Sequence, residues 1–159
     1  VVGAEPSLSH YLRITRQAAR IEAPVRQAPD HDLAALAERI WPTVAHVLAD
    51  RRDDALASLD RAVSTHRSVS GPTAVWRGAQ RTTGALLLVE HGLEYPARLL
   101  VDGTLQPSDD PAAPDVVDDA IDELIEIVLG RRGRVEIVPD GTLAAHQGVA
   151  LVCANRAPR

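Results

Sequence analysis

Apolar residues recur along this chain at helical and strand spacings, and the switches between them divide it into elements. Val1–Gly3 reads as the end of a strand and a turn. Pro6 and Ser7 open a helix with Leu8, Tyr11, Leu12, Thr15, Ala18 and Ala19 on one face. Residues 21–27 carry Pro24 and read as extended. Ala28-Pro29-Asp30 reads as a linker ending in a helix N-cap, and the main domain boundary is placed there. The most periodic segment follows, with Leu33, Leu36, Ala37, Ile40, Trp41, Val44, Val47 and Leu48 in one stripe. Pro42 cannot donate a backbone hydrogen bond, which predicts a kink or break. Past the charged stretch 50–54 the stripe resumes at Leu56, Leu59, Ala62 and Val63. The segment is one long kinked helix or a helical pair.

Ser70-Gly71-Pro72 starts a helix to about Arg81, with Val75, Trp76 and Ala79 inward. The wholly apolar run Ala85–Val89 reads as a central strand covered on both faces. Residues 93–101 are extended, Asp102-Gly103 is a hairpin signal, and residues 104–106 return. A Pro- and Asp-rich loop spans 108–114. Asp115 then opens an amphipathic helix whose core face is Val117, Ala120, Ile121, Leu124, Ile125, Val128 and Leu129. Acids in its first turns and Arg131-Arg132 at its end suit the helix dipole, and Gly130 or Gly133 stops it. Val135–Val138 is a strand, Asp140-Gly141 starts a short helical turn, and Val149–Cys153 is the last strand. Beyond residue 28 the order is α-α-α-β-β-β-α-β-α-β. Interleaved helices and strands predict a compact α/β domain, its sheet mixed because the hairpin adds an antiparallel element.

Composition adds three constraints. The 159 residues suit one domain, and no apolar run approaches the roughly 18 residues of a membrane span. A single cysteine excludes an internal disulfide and a Cys-rich zinc site. With no Phe and 3% aromatics, the core is expected from Leu, Ile, Val and Ala, with Trp41 and Trp76 as its largest pieces. There is no Met, so Val1 is expected to be internal to a longer natural chain. All 17 basic residues are Arg and the net charge is -5. That balance disfavours general nucleic-acid binding, which draws its affinity from neutralising phosphates.

Candidate chemistry is sparse. Asp115, Asp118, Asp119, Asp122, Glu123 and Glu126 include i,i+3 and i,i+4 pairs, and carboxylates on one helix face could take a hard cation. The same acids fit the solvated face of an amphipathic helix, and that reading is preferred. Cys153, His146 and Asp140 are the residue types of a thiol nucleophile system, but Cys153 follows Val149-Ala150-Leu151-Val152, where a buried inert thiol is ordinary. His31, His46 and His91 show no metal-pair spacing, and there is neither a Gly-rich phosphate loop nor a Gly-x-Ser-x-Gly elbow. Tyr95 and Arg98, beside the Glu90-His91-Gly92 turn, are candidates for a partner surface.

Taken in order, several blocks resemble one family. They are Ser70-Gly71-Pro72 with Trp76-Arg77, Leu88-Val89-Glu90-His91-Gly92, Tyr95-Pro96-Ala97-Arg98, Asp102-Gly103, the acidic block 114–126, Val138-Pro139-Asp140-Gly141-Thr142-Leu143 and Val149-Ala150-Leu151. Together they resemble the C-terminal domain of the bacterial relatives of archaeo-eukaryotic class-1 release factors and Pelota (the baeRF group), from about Asp30 to Arg156. Residues 1–27 resemble the tail of the preceding middle domain. The chain departs from the pattern at Arg131-Arg132-Gly133-Arg134, where relatives often carry a Gly-Gly turn.

The resemblance implies two parts: residues 1–27 as a middle-domain tail, and residues 28–159 as a release-factor-like C-terminal domain. The implied fold of the latter is a three-layer α/β/α sandwich with a mixed sheet, similar to the ribosomal kink-turn-binding proteins. It also implies a cytoplasmic, non-catalytic docking module for a ribosomal or translation-factor partner. The Gly-Gly-Gln loop of release factors belongs to the middle domain, and this sequence contains none. The expected partner surface is Glu90, Tyr95, Arg98, Asp118, Asp119, Asp122 and Glu123. No cofactor, metal or membrane is expected. Two alternatives stand beside this reading: a kink-turn-type RNA-binding domain, and a metal-assisted hydrolase using the acidic helix.

Overall fold

The computed structural model of the chain describes residues 1–27 and 32–153. The linker at 28–30, its expected N-cap Asp30, and His31 lie outside the described residues. Two compact units are present, Val1–Arg51 and Arg52–Arg159, and the division falls inside a helix, past the linker.

In the first unit, β1 (Val2–Gly3) pairs in parallel with β2 (Val25–Arg26). Between them lies α1 (Ser7–Ile14), with Leu8 as its one buried residue. This helix is shorter than its apolar face suggests. Thr15 turns extended, its Oγ1 accepts from the Gln17 N–H at 3.2 Å, and Ala18–Arg20 forms a separate 3₁₀ turn. Next comes α2 (Leu33–Ser64), a single continuous helix with Pro42 inside it, so the helical-pair alternative falls away. Its cap is Asp32, whose Oδ1 accepts from the N–H groups of Ala34 at 2.9 Å and Ala35 at 3.3 Å.

The first half of the α2 stripe is not a core face. Leu33 is 78% exposed, Trp41 63% and Leu48 45%, which corrects the expectation that Trp41 is a core piece. Helical periodicity marks a stripe, but only tertiary packing decides whether the stripe is covered.

The second unit holds β3 (Ser68–Ser70), α3 (Pro72–Arg81), β4 (Leu86–Glu90), β5 (Ala97–Leu99), β6 (Leu105–Pro107), α4 (Ala120–Gly130), β7 (Arg134–Val138) and β8 (Val149–Val152). The main sheet has the order β3-β8-β4-β7. In it β4 is parallel to β7 and antiparallel to β8, and β8 is antiparallel to β3. The sheet is mixed as expected, but for a different reason: β5 and β6 form their own two-stranded sheet, and the antiparallel element is β8.

Alternation along β4 and β8 builds the layers. Leu87, Val89, Val149 and Leu151 pack on one face with Val75, Trp76 and Ala79 of α3 and Ile121, Leu124 and Val128 of α4. Leu86, Leu88 and Ala150 pack on the other with Ala55 and Leu59 from the second half of α2. The unit is thus an α/β/α sandwich, and Trp76, 5% exposed, belongs to its core as expected.

Three further expectations are corrected. The fourth helix starts at Ala120, not Asp115, because Val117 is drawn into a bridge with Ala97 through bonds of 3.0 and 2.9 Å. Leu129 faces out, 54% exposed. Cys153 lies beyond β8 and is half-buried, and its N–H donates to the Arg67 carbonyl at 2.9 Å.

Candidate functional site

Ser70, Val149, Glu90 and Val138 are the terminal strand residues at one end of the sheet. The connections leaving this end carry most of the residues that sequence reasoning singled out. They are braced by side chains. Glu90 Oε1 accepts from the Leu143 N–H, and Asp140 Oδ1 accepts from the Gly92 N–H at 2.8 Å. Ser70 Oγ and His146 Nδ1 are 2.7 Å apart. Gly71 is held at φ 82, with the Gln147 amide filling the space a Cβ would take. Only a glycine fits there without displacing that side chain.

Tyr95 and Asp119 tie this end to α4. Asp119 is the N-cap: its Oδ1 accepts from Ile121 N–H at 2.9 Å and from Tyr95 N–H at 3.2 Å. The Ala120 N–H donates to the Tyr95 carbonyl at 3.0 Å, and the Tyr95 hydroxyl is 3.4 Å from Thr73 Oγ1. Arg98 Nε donates to Asp115 Oδ2 at 2.6 Å. The Arg98 guanidinium beside Asp115 holds that carboxyl below its ordinary range. A shallow groove of about 350 Å³ runs past Pro72, Leu93, Tyr95 and Gln147.

The seven residues proposed from sequence therefore separate into two sets. Glu90, Tyr95, Arg98 and Asp119 are half-buried and bonded to neighbouring segments. Asp118, Asp122 and Glu123 are exposed. The Asp118 Oδ1 accepts from the Asp119 N–H at 3.0 Å, and Asp122 and Glu123 lie in the first turn of α4. From Asp102 to Gly130 the chain carries nine acidic residues and no basic one. An exposed anionic surface is the outcome, its geometry set by Asp119 and its neighbours. The Arg98–Asp115 link had no local signal in the sequence, because it joins positions seventeen residues apart.

Other candidate constellations disperse. His146 sits at the braced end while Cys153 follows Val152 at the opposite end of β8, and Asp140 is engaged with Gly92. Among the described residues, no group of three or more His, Cys, Asp or Glu converges so as to hold a metal. Among them, too, no helix is long and apolar enough to cross a membrane.

Comparison with known proteins bears on the family and the fold. The sequence model of the family described as bacterial archaeo-eukaryotic release factor family 3 matches residues 1–82. No curated protein sequence matches the chain. Among solved structures, the chain is similar to the C-terminal domain of a peptide chain release factor from Methanosarcina mazei, with 16% identity and a TM-score of 0.54. That match covers 79% of this chain and 96% of the other, and it is a likeness of fold. A structure described as an archaeal protein matches at 17% identity and a TM-score of 0.43, over 99% of this chain but 42% of its own length.

Proposed function

Because the chain belongs to bacterial archaeo-eukaryotic release factor family 3, we propose that it acts in translation as a non-catalytic docking module, in the cytoplasm. Its surface is the acidic start of α4, with Asp118, Asp122 and Glu123 as the contact groups. Its partner is a basic ribosomal or translation-factor protein. In this reading residues 1–27 are the tail of a preceding domain and residues 28–159 the docking domain. One observation carries it: a stretch without a single basic residue presents exposed carboxylates beside a braced, half-buried framework. Complementary charge steers association and suppresses wrong partners.

The test is co-sedimentation of the chain with ribosomes at two salt concentrations, for the wild type and for Asp118→Arg/Asp122→Arg/Glu123→Arg. The reading expects the wild type to pellet at low salt and the reversed variant to stay in solution with its fold intact. Equal pelleting of both would discard this surface. Failure of both to pellet would remove the ribosome as the partner.

A further inference from the structure

The opposite end of the sheet carries the opposite charge. The registers place Ser68, Val152, Leu86 and Arg134 in one row. Three connections meet at that row, and five arginines decorate them: Arg67 before β3, Arg81 closing α3, Arg131 and Arg132 after α4, and Arg134 opening β7. Backbone bonds fix their places. The Gly84 N–H donates to the Arg131 carbonyl at 2.9 Å, the Arg134 N–H to the Ala85 carbonyl at 2.8 Å, and the Cys153 N–H to the Arg67 carbonyl. Segments 65–69, 81–86 and 130–135 contain no Asp or Glu. All five arginines are exposed. Among the described residues, Arg81, Arg131, Arg132 and Arg134 have no carboxylate partner.

A second observation concerns Arg132. It sits at φ 61, in the left-handed region that a side chain occupies at a cost. The turn is a Schellman closure of α4: the Gly133 N–H reaches the Val128 carbonyl at 2.9 Å and the Arg132 N–H the Leu129 carbonyl at 3.0 Å. Glycine is the usual residue at that left-handed position. An arginine there is a local cost that the fold does not require, and such costs gather where a side chain is needed for a function.

We propose that this end of the sheet is an RNA-backbone contact, distinct from the acidic docking surface. Four adjacent strands at a spacing of about 4.8 Å make an edge roughly 14 Å wide. Guanidinium groups carried by the connections at that edge meet phosphates of one strand. Guanidinium forks match phosphate oxygens and do not lose their charge. The surface reads the backbone and not the bases, so it is sequence-independent. The net charge of -5 does not oppose this, since Asp118, Asp122 and Glu123 lie at the other end of α4 from Arg131 and Arg132, and salt screens charges beyond about 10 Å.

The test is fluorescence anisotropy of a labelled oligouridine titrated with the whole chain across a salt series. It uses the wild type, Arg132→Gly, and the fourfold Arg81→Gln/Arg131→Gln/Arg132→Gln/Arg134→Gln variant, each checked for its thermal melt. For a single strand, each phosphate contact adds about 0.7 to the slope of log affinity against log salt, or roughly fivefold in affinity at about 0.1 M salt. The expected result is a salt-dependent complex that the fourfold variant loses while keeping its fold. Arg132→Gly should melt higher than the wild type and still bind about fivefold more weakly. A structural role for Arg132 would not weaken binding while raising the melt. No binding by the wild type at low salt, or equal binding by the folded fourfold variant, overturns the proposal. So does tighter binding of polyglutamate than of oligouridine, which would assign the surface to an acidic protein. Ribosome pelleting by the acidic-end variant is a separate readout, so either surface can fail alone.

Discussion

Arg132 and Gly133 show opposite errors of size at adjacent positions. Arg132 occupies a left-handed position where a side chain is strained, and Arg132→Gly should stabilise the fold by about 1 kcal/mol. At Gly133 a Cβ would lie 2.5 Å from Val128 Cγ1 and 2.7 Å from the Ala85 carbonyl oxygen, so Gly133→Ala should destabilise by about 1–3 kcal/mol. Urea unfolding of the two variants checks both signs at once. At Asp115 the effect is on proton binding. Its pKa is lowered, first by the hydrogen bond from Arg98, so the bond is fully present above the ordinary carboxylate pKa. It is lost as pH falls through the lowered value in the folded state. Arg98→Gln should return the Asp115 titration, followed by carboxyl carbon NMR, toward its ordinary pKa.

At the scale of an element, α4 shows why acids near a helix start are not interchangeable. Asp119 satisfies two N–H groups, one in its own helix and one at Tyr95. Asp119→Ala should cost about 1–2 kcal/mol, seen as a lower midpoint in thermal unfolding. Asp122 and Glu123 only complement the dipole, and neutralising either should cost no more than about 1 kcal/mol. Docking variants that spare Asp119 therefore test binding without testing folding. The same helix marks the limit of legibility. Its core face was readable from Ala120 to Val128, because burial there follows the 3.6-residue period. Its start was not, since Asp115, Asp118 and Asp119 are all acceptable caps. The choice falls to Asp119 because Val117 bonds across the chain to Ala97. The β3 strand was missed for a related reason: three residues are too few to show alternation. By contrast α3 runs from Pro72 to Arg81 as its signals indicate, and β4 and β8, short apolar runs preceded by a glycine, match theirs to within one residue.

Over the whole molecule, the order of helices and strands in the second unit was readable apart from β3, and so was the α/β class. The placement of charge was not. The nine acids of 102–130 and the arginines 131, 132 and 134 follow one another in sequence, and only α4 and the strand registers show that they lie at two ends of one sheet. The two tryptophans make the same point about packing, and they can be tested together. Trp76 lies in a core layer with its Nε1–H donating to the Gly103 carbonyl at 3.0 Å, so one side chain holds the β5–β6 hairpin onto α3. Removing it empties the largest side-chain volume of that layer and orphans a carbonyl. Trp76→Ala should therefore cost about 3–5 kcal/mol. Trp41, on a helix of equally apolar periodicity, is mostly in solvent, and Trp41→Ala should stay within about 0.5 kcal/mol. Each variant leaves a single indole, so acrylamide quenching reads the pair directly. Fluorescence of Trp41 alone should quench steeply, and that of Trp76 alone should resist. Equal quenching of the two would mean that the α2 stripe is covered in solution, and that its periodicity does mark a buried face.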